Sequence, residues 1–463
     1  MLEKWFQLKK HGTTVKTEIM AGITTFMTMA YILAVNPTIL GATGMDAGAI
    51  FTATALAALI GTLAMAIFAN YPFAMAPGMG LNAYFAYTVV LGMGYEWPVA
   101  LAAVFIEGLI FLVLSLVNVR EAIFDAIPKN LKVAVSVGIG LFIAFIGLQS
   151  ANIVVGNQSV LVALYTNAGL EGKYGLEAGT VTLQNGGIAA LISIVGIIIT
   201  AILVVKKVKG SILWGILITW LIGVICELTH LYVPLPAAGL YSTIPDFSNW
   251  TLAPDISPIF AKMDFSGILS LEFVVVVFAF LFVDIFDTIG TLVGVATNAK
   301  MLDKDGKLPK IKQALLADAL ATTAGAVLGT STTTTYVESA SGVTDGGRTG
   351  LTAVTTAILF GLALLISPIF LAIPAFATTP ALVVVGFYMF CNIKNIDVSD
   401  MAEAIPAYIC VVAMPLFYSI SEGIAMGIIT YVVLNIIGKE SRKKVSILMI
   451  CLAIVFILKY IFL

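Results

Sequence analysis

Charge is scarce in this sequence. Lys, Arg, Asp and Glu make up 11% of its 463 residues, less than half of the roughly one-quarter that a soluble domain uses to cover its surface. The formal net charge of −2 gives no basis for binding nucleic acid. Histidine is almost missing: His11 and His230 are too few and too far apart for a histidine-ligated metal site. The four cysteines, Cys226, Cys391, Cys410 and Cys451, lie in or beside apolar stretches without CxxC spacing, so neither a disulfide framework nor a zinc site is indicated. No HExxH, GxSxG or P-loop pattern occurs, and the chain is read as a non-enzyme without metal or cofactor. What remains is apolar: 60% hydrophobic residues, in runs that define an all-α polytopic membrane protein.

Runs of about 20 apolar residues suffice to cross a bilayer. They are expected near 17–36, 48–69, 77–92, 97–118, 130–149, 185–205, 210–228, 267–297, 310–328, 335–347, 350–373, 379–394, 402–419 and 421–438. A further apolar tail at 445–462 is either a fifteenth span or a surface-lying helix. The first run is not a cleaved signal peptide, because no small-residue cleavage site follows it and many spans come after. Lysine and arginine stay in cytoplasmic loops. With the N-terminus in the cytoplasm and fourteen alternating spans, only Lys173, Lys262 and Lys459 of the 24 basic residues fall elsewhere. The connections at about 150–184 and 229–266 then lie outside as polar caps.

The two halves repeat. Lys129–Gly138 recurs loosely as Thr379–Gly386, and Lys209–Ile216 parallels Glu422–Ile428. Seven spans per half is an odd number, so the halves are inverted with respect to each other, as in many secondary transporters. The third span of each half is broken. Asn70–Asn82 holds Pro72, Pro77, Gly78 and Gly80, and Gly329–Ser339 holds a run of threonines. Proline pushes its predecessor to extended geometry, and β-branched threonine favours strand. Short strands are therefore expected at the starts of spans 3 and 10. Paired with each other, they would satisfy backbone groups at membrane depth and aim two half-helix N-termini at the midplane, with Gly78, Gly80, Thr335 and Tyr336 supplying the half-helix backbone. The alternative is a kinked span plus a Thr-rich external loop.

A carboxylate at the bilayer centre costs about 2.5–3.5 kcal/mol on insertion scales, so Glu107, Asp284, Asp287, Asp318 and Glu338 each need a reason. Asp284 and Asp287 share a helix face at i and i+3, extended by Thr288 and Thr291. Two carboxyls this close are suited to hold one proton; the alternative is a polar seam between helices. Asp318, about 9 Å of helix rise from Lys312, is read as a structural residue that snorkels or pairs with a neighbour, and no partner for Glu107 is evident. Asn82, Asp284 and Glu338 combine acceptors with an amide that donates and accepts, which suits a flat heterocycle carrying both kinds of group. Tyr84, Phe85, Phe282, Phe286 and Tyr336 could stack on it.

The runs Glu18–Ile32, Pro77–Ala83, Phe282–Thr288 and Thr330–Ser339 resemble the hypoxanthine–adenine–guanine permease branch of the nucleobase–cation symporter-2 family, the nucleobase/ascorbate transporters. The similarity extends along essentially the whole chain. It implies a 7+7 inverted repeat of fourteen spans, with a core domain (1–118 and 267–374) moving against a gate domain (119–266 and 375–463). It implies substrate contacts at Asn82, Asp284 and Glu338, with Asp287 and Thr288 in coupling or support. Sister branches for uracil or xanthine carry a histidine in the eighth or first span, and none stands in a span here. The expected activity is uptake of adenine, guanine or hypoxanthine across the cell membrane, with protons ahead of sodium and a homodimer through the gate. The rivals are an inorganic-anion transporter on the same architecture, a channel, or an intramembrane enzyme.

Overall fold

The computed structural model describes residues 2–116, 127–157, 159–248, 253–266, 268, 270–298, 301, 308–438 and 445–462. Arg120, Lys300, Lys304, Lys307, Lys439, Arg442, Lys443 and Lys444, on which part of the orientation rests, lie outside the described residues, as do the side chains of Phe286 and Lys459. Among the described residues, ten helices are long and apolar enough to cross a membrane. The fold is thus mostly helical and polytopic.

The first expected span is two helices, α1 (Val15–Met29) and α2 (Ile32–Gly41), broken at Ala30 and Tyr31. Helix α3 (Ala47–Phe68) follows. The third span opens as strand β1 (Met75–Pro77) and continues as α4 (Met79–Ala83) and a π-helical stretch, Tyr84–Gly92. Next come α5 (Trp97–Leu116) and α6 (Lys129–Ser150). The long connection after α6 is more ordered than an irregular cap: β2 (Val154–Asn157) pairs antiparallel with β3 (Leu161–Leu164), and α7 (Asn167–Tyr174) follows. Two further spans are α8 (Ile188–Val205) and α9 (Ser211–Leu228).

The second half begins with the 28-residue α10 (Leu271–Asn298) and α11 (Ile311–Leu328). Strand β4 (Thr333–Thr335) then leads into α12 (Ser339–Thr344), only six residues long. Helices α13 (Gly350–Ala363), α14 (Ala375–Phe390), α15 (Met401–Leu416) and α16 (Ile420–Ile437) complete it. The tail forms α17 (Ile447–Phe462), whose Phe456 ring lies 6.2 Å from that of Phe278 on α10.

Lipid offers no hydrophobic drive between helices, so close approach depends on small residues. Helices α6 and α14 touch backbone to backbone. A Cβ on Gly140 would stand 2.6 Å from the Gly386 carbonyl oxygen, and a Cβ on Gly386 would strike the Gly140 carbonyl in turn. The same device joins α15 to α16, where a Cβ on Gly427 would lie 2.8 Å from the Cβ of Cys410.

Candidate functional site

Strands β1 and β4 meet inside the helical body. They pair antiparallel, with Met75 opposite Thr335, Ala76 opposite Thr334 and Pro77 opposite Thr333. Two bonds extend the ladder: Gly78 N–H donates to the Thr332 carbonyl at 2.9 Å, and Tyr336 N–H donates to the Ala74 carbonyl at 3.0 Å. A two-stranded ladder still leaves its outer edges open, which is costly without water. Threonines close them. Thr62 of α3 accepts from Met75 N–H at 2.9 Å and donates to the Met75 carbonyl at 3.1 Å. Thr322 of α11 donates to the Thr333 carbonyl at 3.1 Å.

The residues picked out from sequence divide into two groups around this crossing. Asn82 is fully buried; its amide donates to the Pro77 carbonyl at 3.2 Å and its carbonyl accepts from Ser331 Oγ. Asp284 is also fully buried, and accepts from the Thr288 hydroxyl at 2.8 Å. Thr288 Oγ1 lies 3.0 Å from Asp318 Oδ1 and 2.6 Å from Thr334 Oγ1, tying α10 to α11 and to β4. Asp318 does not snorkel: it is 0% exposed, with its carboxyl turned to Thr288.

Glu338 and Asp287, by contrast, are only half-buried. Glu338 is the N-cap residue of α12. Asp287 sits beside Gly78, where an added Cβ would come 3.4 Å from Asp287 Oδ2 and 2.7 Å from Thr334 Cγ2. Glycine at 78 therefore lets the strand crossing and the Asp287 carboxyl approach each other. Gly80 faces the other way, toward Ile139 of α6. Helix α12, six residues long, is too short to present a strong dipole. The Tyr336 phenol is committed to the Pro77 carbonyl at 2.5 Å. Tyr84 packs edge-on against Phe280 at 4.8 Å and is buried with Phe85, so both rings belong to the core. Phe282 packs against Phe278 at 6.0 Å.

Several polar residues outside the expected site hold these elements together. Tyr31, 1% exposed at the break between α1 and α2, donates its phenol to Glu338 Oε1 at 2.7 Å. Glu107 accepts from Thr332 Oγ1 at 2.7 Å, a partner across 225 residues. Glu18 accepts from the N–H groups of Arg348, Thr349 and Thr352 at 2.9–3.2 Å and from the Thr352 hydroxyl at 2.6 Å. It caps α13 from another helix, answering donors that a helix start leaves open. Tyr31 and Glu18 lie in the run Glu18–Ile32 that carries the family resemblance, but nothing in that run names their partners.

Known proteins bear on this geometry. A permease-family model matches residues 16–426. The chain is 43% identical over 473 residues to the guanine/hypoxanthine permease PbuG of Bacillus subtilis strain 168, covering 100% of both proteins. It is 39% identical over 462 residues to the adenine permease AdeP of Escherichia coli strain K12, covering 100% of this chain and 96% of that protein. In fold it is similar to the transmembrane domain of a cyanobacterium bicarbonate transporter, BicA, with a TM-score of 0.64 at 15% identity over 89% of this chain and 97% of that one. The matched length and identity settle the family: this chain belongs to the permease family of nucleobase/ascorbate transporters.

Proposed function

We propose that the chain is a secondary active transporter that imports purine nucleobases, adenine, guanine or hypoxanthine, together with protons. Its fourteen crossings form two inverted halves of seven, with the N-terminus cytoplasmic. Spans 1–4 and 8–11 make the substrate-holding core, and spans 5–7 and 12–14 make the gate through which a homodimer forms. The observation that carries the reading is the pairing of β1 with β4 beside two half-buried carboxyls, Glu338 and Asp287, in a chain similar along its full length to named purine permeases.

The chemistry follows from what each group has left to offer. A carboxylate accepts hydrogen bonds in a low-dielectric site, where such bonds are strong and an unmatched donor is costly. Glu338 and Asp287 are the acceptors turned toward a ligand, while Asn82, Asp284 and Thr288 brace the strands from behind. A proton held among Asp284, Asp287 and Glu338 would couple substrate to the gradient, because clustered carboxyls do not all ionise together. The fold likeness to a bicarbonate transporter raises an anion as an alternative cargo. Carboxyls at the crossing would repel one, and this tells against it.

Uptake of labelled adenine, guanine, hypoxanthine, xanthine and uracil into proteoliposomes, with and without an inward proton gradient, tests the proposal. Saturable, gradient-driven purine uptake supports it. Bicarbonate flux without purine uptake overturns it.

A further inference from the structure

We propose that Tyr31 is a positioning residue that sets the preference among purines by holding Glu338 as an acceptor, favouring bases that carry N1–H over adenine. This rests on the purine reading above. A phenol has one hydrogen to give, and that of Tyr31 goes to Glu338 Oε1 at 2.7 Å. The ring is 1% exposed in the gap between α1 and α2, so it cannot swing aside without opening the core. Thr28 Oγ1, three residues earlier, lies 3.4 Å from the Glu338 backbone carbonyl. The Thr28 hydrogen goes to the nearer Thr25 carbonyl at 2.9 Å, so the first span holds Glu338 through the Tyr31 phenol.

Glu338 itself remains half-buried, and the side chain that donates to its carboxyl is Tyr31, through Oε1. The Tyr336 phenol is spent on the Pro77 carbonyl. The oxygen presented to a ligand is therefore an acceptor beside a fixed donor. Hypoxanthine and guanine offer N1–H to such an oxygen, and guanine adds an amino donor next to it. Adenine offers a bare N1 lone pair at the same place, which meets the carboxylate acceptor to acceptor. Adjacent polar groups that match one ligand and are left unpaired by its isostere discriminate strongly. With the phenol hydroxyl removed, Glu338 is free to turn or to carry a proton on Oε2, and the distinction fades.

The test compares KM and Vmax for hypoxanthine, guanine and adenine in proteoliposomes of wild type and Tyr31→Phe. In wild type, hypoxanthine and guanine should have the lower KM. In Tyr31→Phe their KM should rise roughly ten- to a hundredfold, the loss of one hydrogen bond to a charged group, with adenine's KM unchanged or lower and all Vmax values unchanged. A second arm needs no variant: 1-methylhypoxanthine, which lacks N1–H, should compete with hypoxanthine uptake no better than adenine. Equal loss for all three bases, an unchanged ratio, a wild type that prefers adenine, or full competition by 1-methylhypoxanthine each overturns the proposal. Wild-type vesicles that take up no purine remove the functional reading as well; purine uptake with an unchanged ratio removes the role of Tyr31 alone.

Discussion

Lys209 Nζ lies 2.6 Å from Asp345 Oδ2, joining the turn between α8 and α9 to the turn that follows α12. Thr24 of α1 donates to the same carboxyl oxygen at 2.7 Å. In the proposed division Lys209 belongs to the gate and Asp345 to the core. The pair then bridges the two bodies on the side assigned to the cytoplasm, and it must break whenever that side opens.

Burial pushes the Asp345 carboxyl up, but hydrogen bonds from Lys209 and Thr24 and the Lys209 charge outweigh it and hold the group below its ordinary value of 3.8. A group held low in the folded state stabilises that state above its ordinary value, and the contribution is lost as pH falls through the lower one. The melting midpoint of the detergent-purified protein should be insensitive to this pair from neutrality down to about pH 5, and below that should fall more steeply in wild type than in Asp345→Asn. With Lys209 largely exposed, the effect should stay below about 1 kcal/mol and shrink in high salt. An acid profile identical in the two proteins would show the pair to be inert.

Gly140 gives a sharper test of packing. A single added methyl meets backbone, the Gly386 carbonyl at 2.6 Å and Phe390 N at 3.0 Å, and backbone cannot rotate away. Gly140→Ala should cost about 1–3 kcal/mol, read as a lower melting midpoint, with Gly386→Ala matching it. A neutral Gly140→Ala would mean that α6 and α14 stand farther apart.

Glu18 should behave as a cap and not as a ligand-binding group. Glu18→Ala leaves the buried N–H group of Thr349 without its acceptor, a loss of about 1–3 kcal/mol. The expected result is a lower melting midpoint with KM for purines unchanged in the protein that remains folded. A raised KM at normal stability would move Glu18 into the site.

Asn82 and Glu338 separate bracing from recognition. Asn82→Ala strands the buried Ser331 hydroxyl and should lower stability by about 1–3 kcal/mol; Glu338→Gln at its half-buried position should leave stability near wild type and act on transport. Melting curves and uptake measured on the same preparations distinguish them. The reverse pattern would exchange their roles.

These contrasts mark how far the sequence could be read. The helices were legible wherever an apolar run is long, as at Ala47–Phe68, because crossing a bilayer leaves few other options. Strands β1 and β4 were legible from prolines and threonines whose backbone preferences are local. Partnership was not. Nothing local to Tyr31 names Glu338, 307 residues away, and nothing in the third span names Thr62 as the group that closes its strand edge. Asn82, Asp284 and Glu338 looked alike as polar groups in apolar surroundings. Only the packing shows that two of them are enclosed by threonine and serine hydroxyls while the third stays half-open. The hairpin Val154–Leu164 escaped for a different reason: four-residue strands in a polar connection are too short for periodicity to register.

Hypoxanthine uptake by equal amounts of folded wild type, Glu338→Gln and Asp287→Asn in proteoliposomes bears most directly on the strand crossing as the place where a base is held. Saturable uptake by wild type that falls roughly a hundredfold in Glu338→Gln, the loss of a hydrogen bond to a charged group, and falls also in Asp287→Asn is the expected result. Both variants transporting hypoxanthine at the wild-type rate and KM would contradict it.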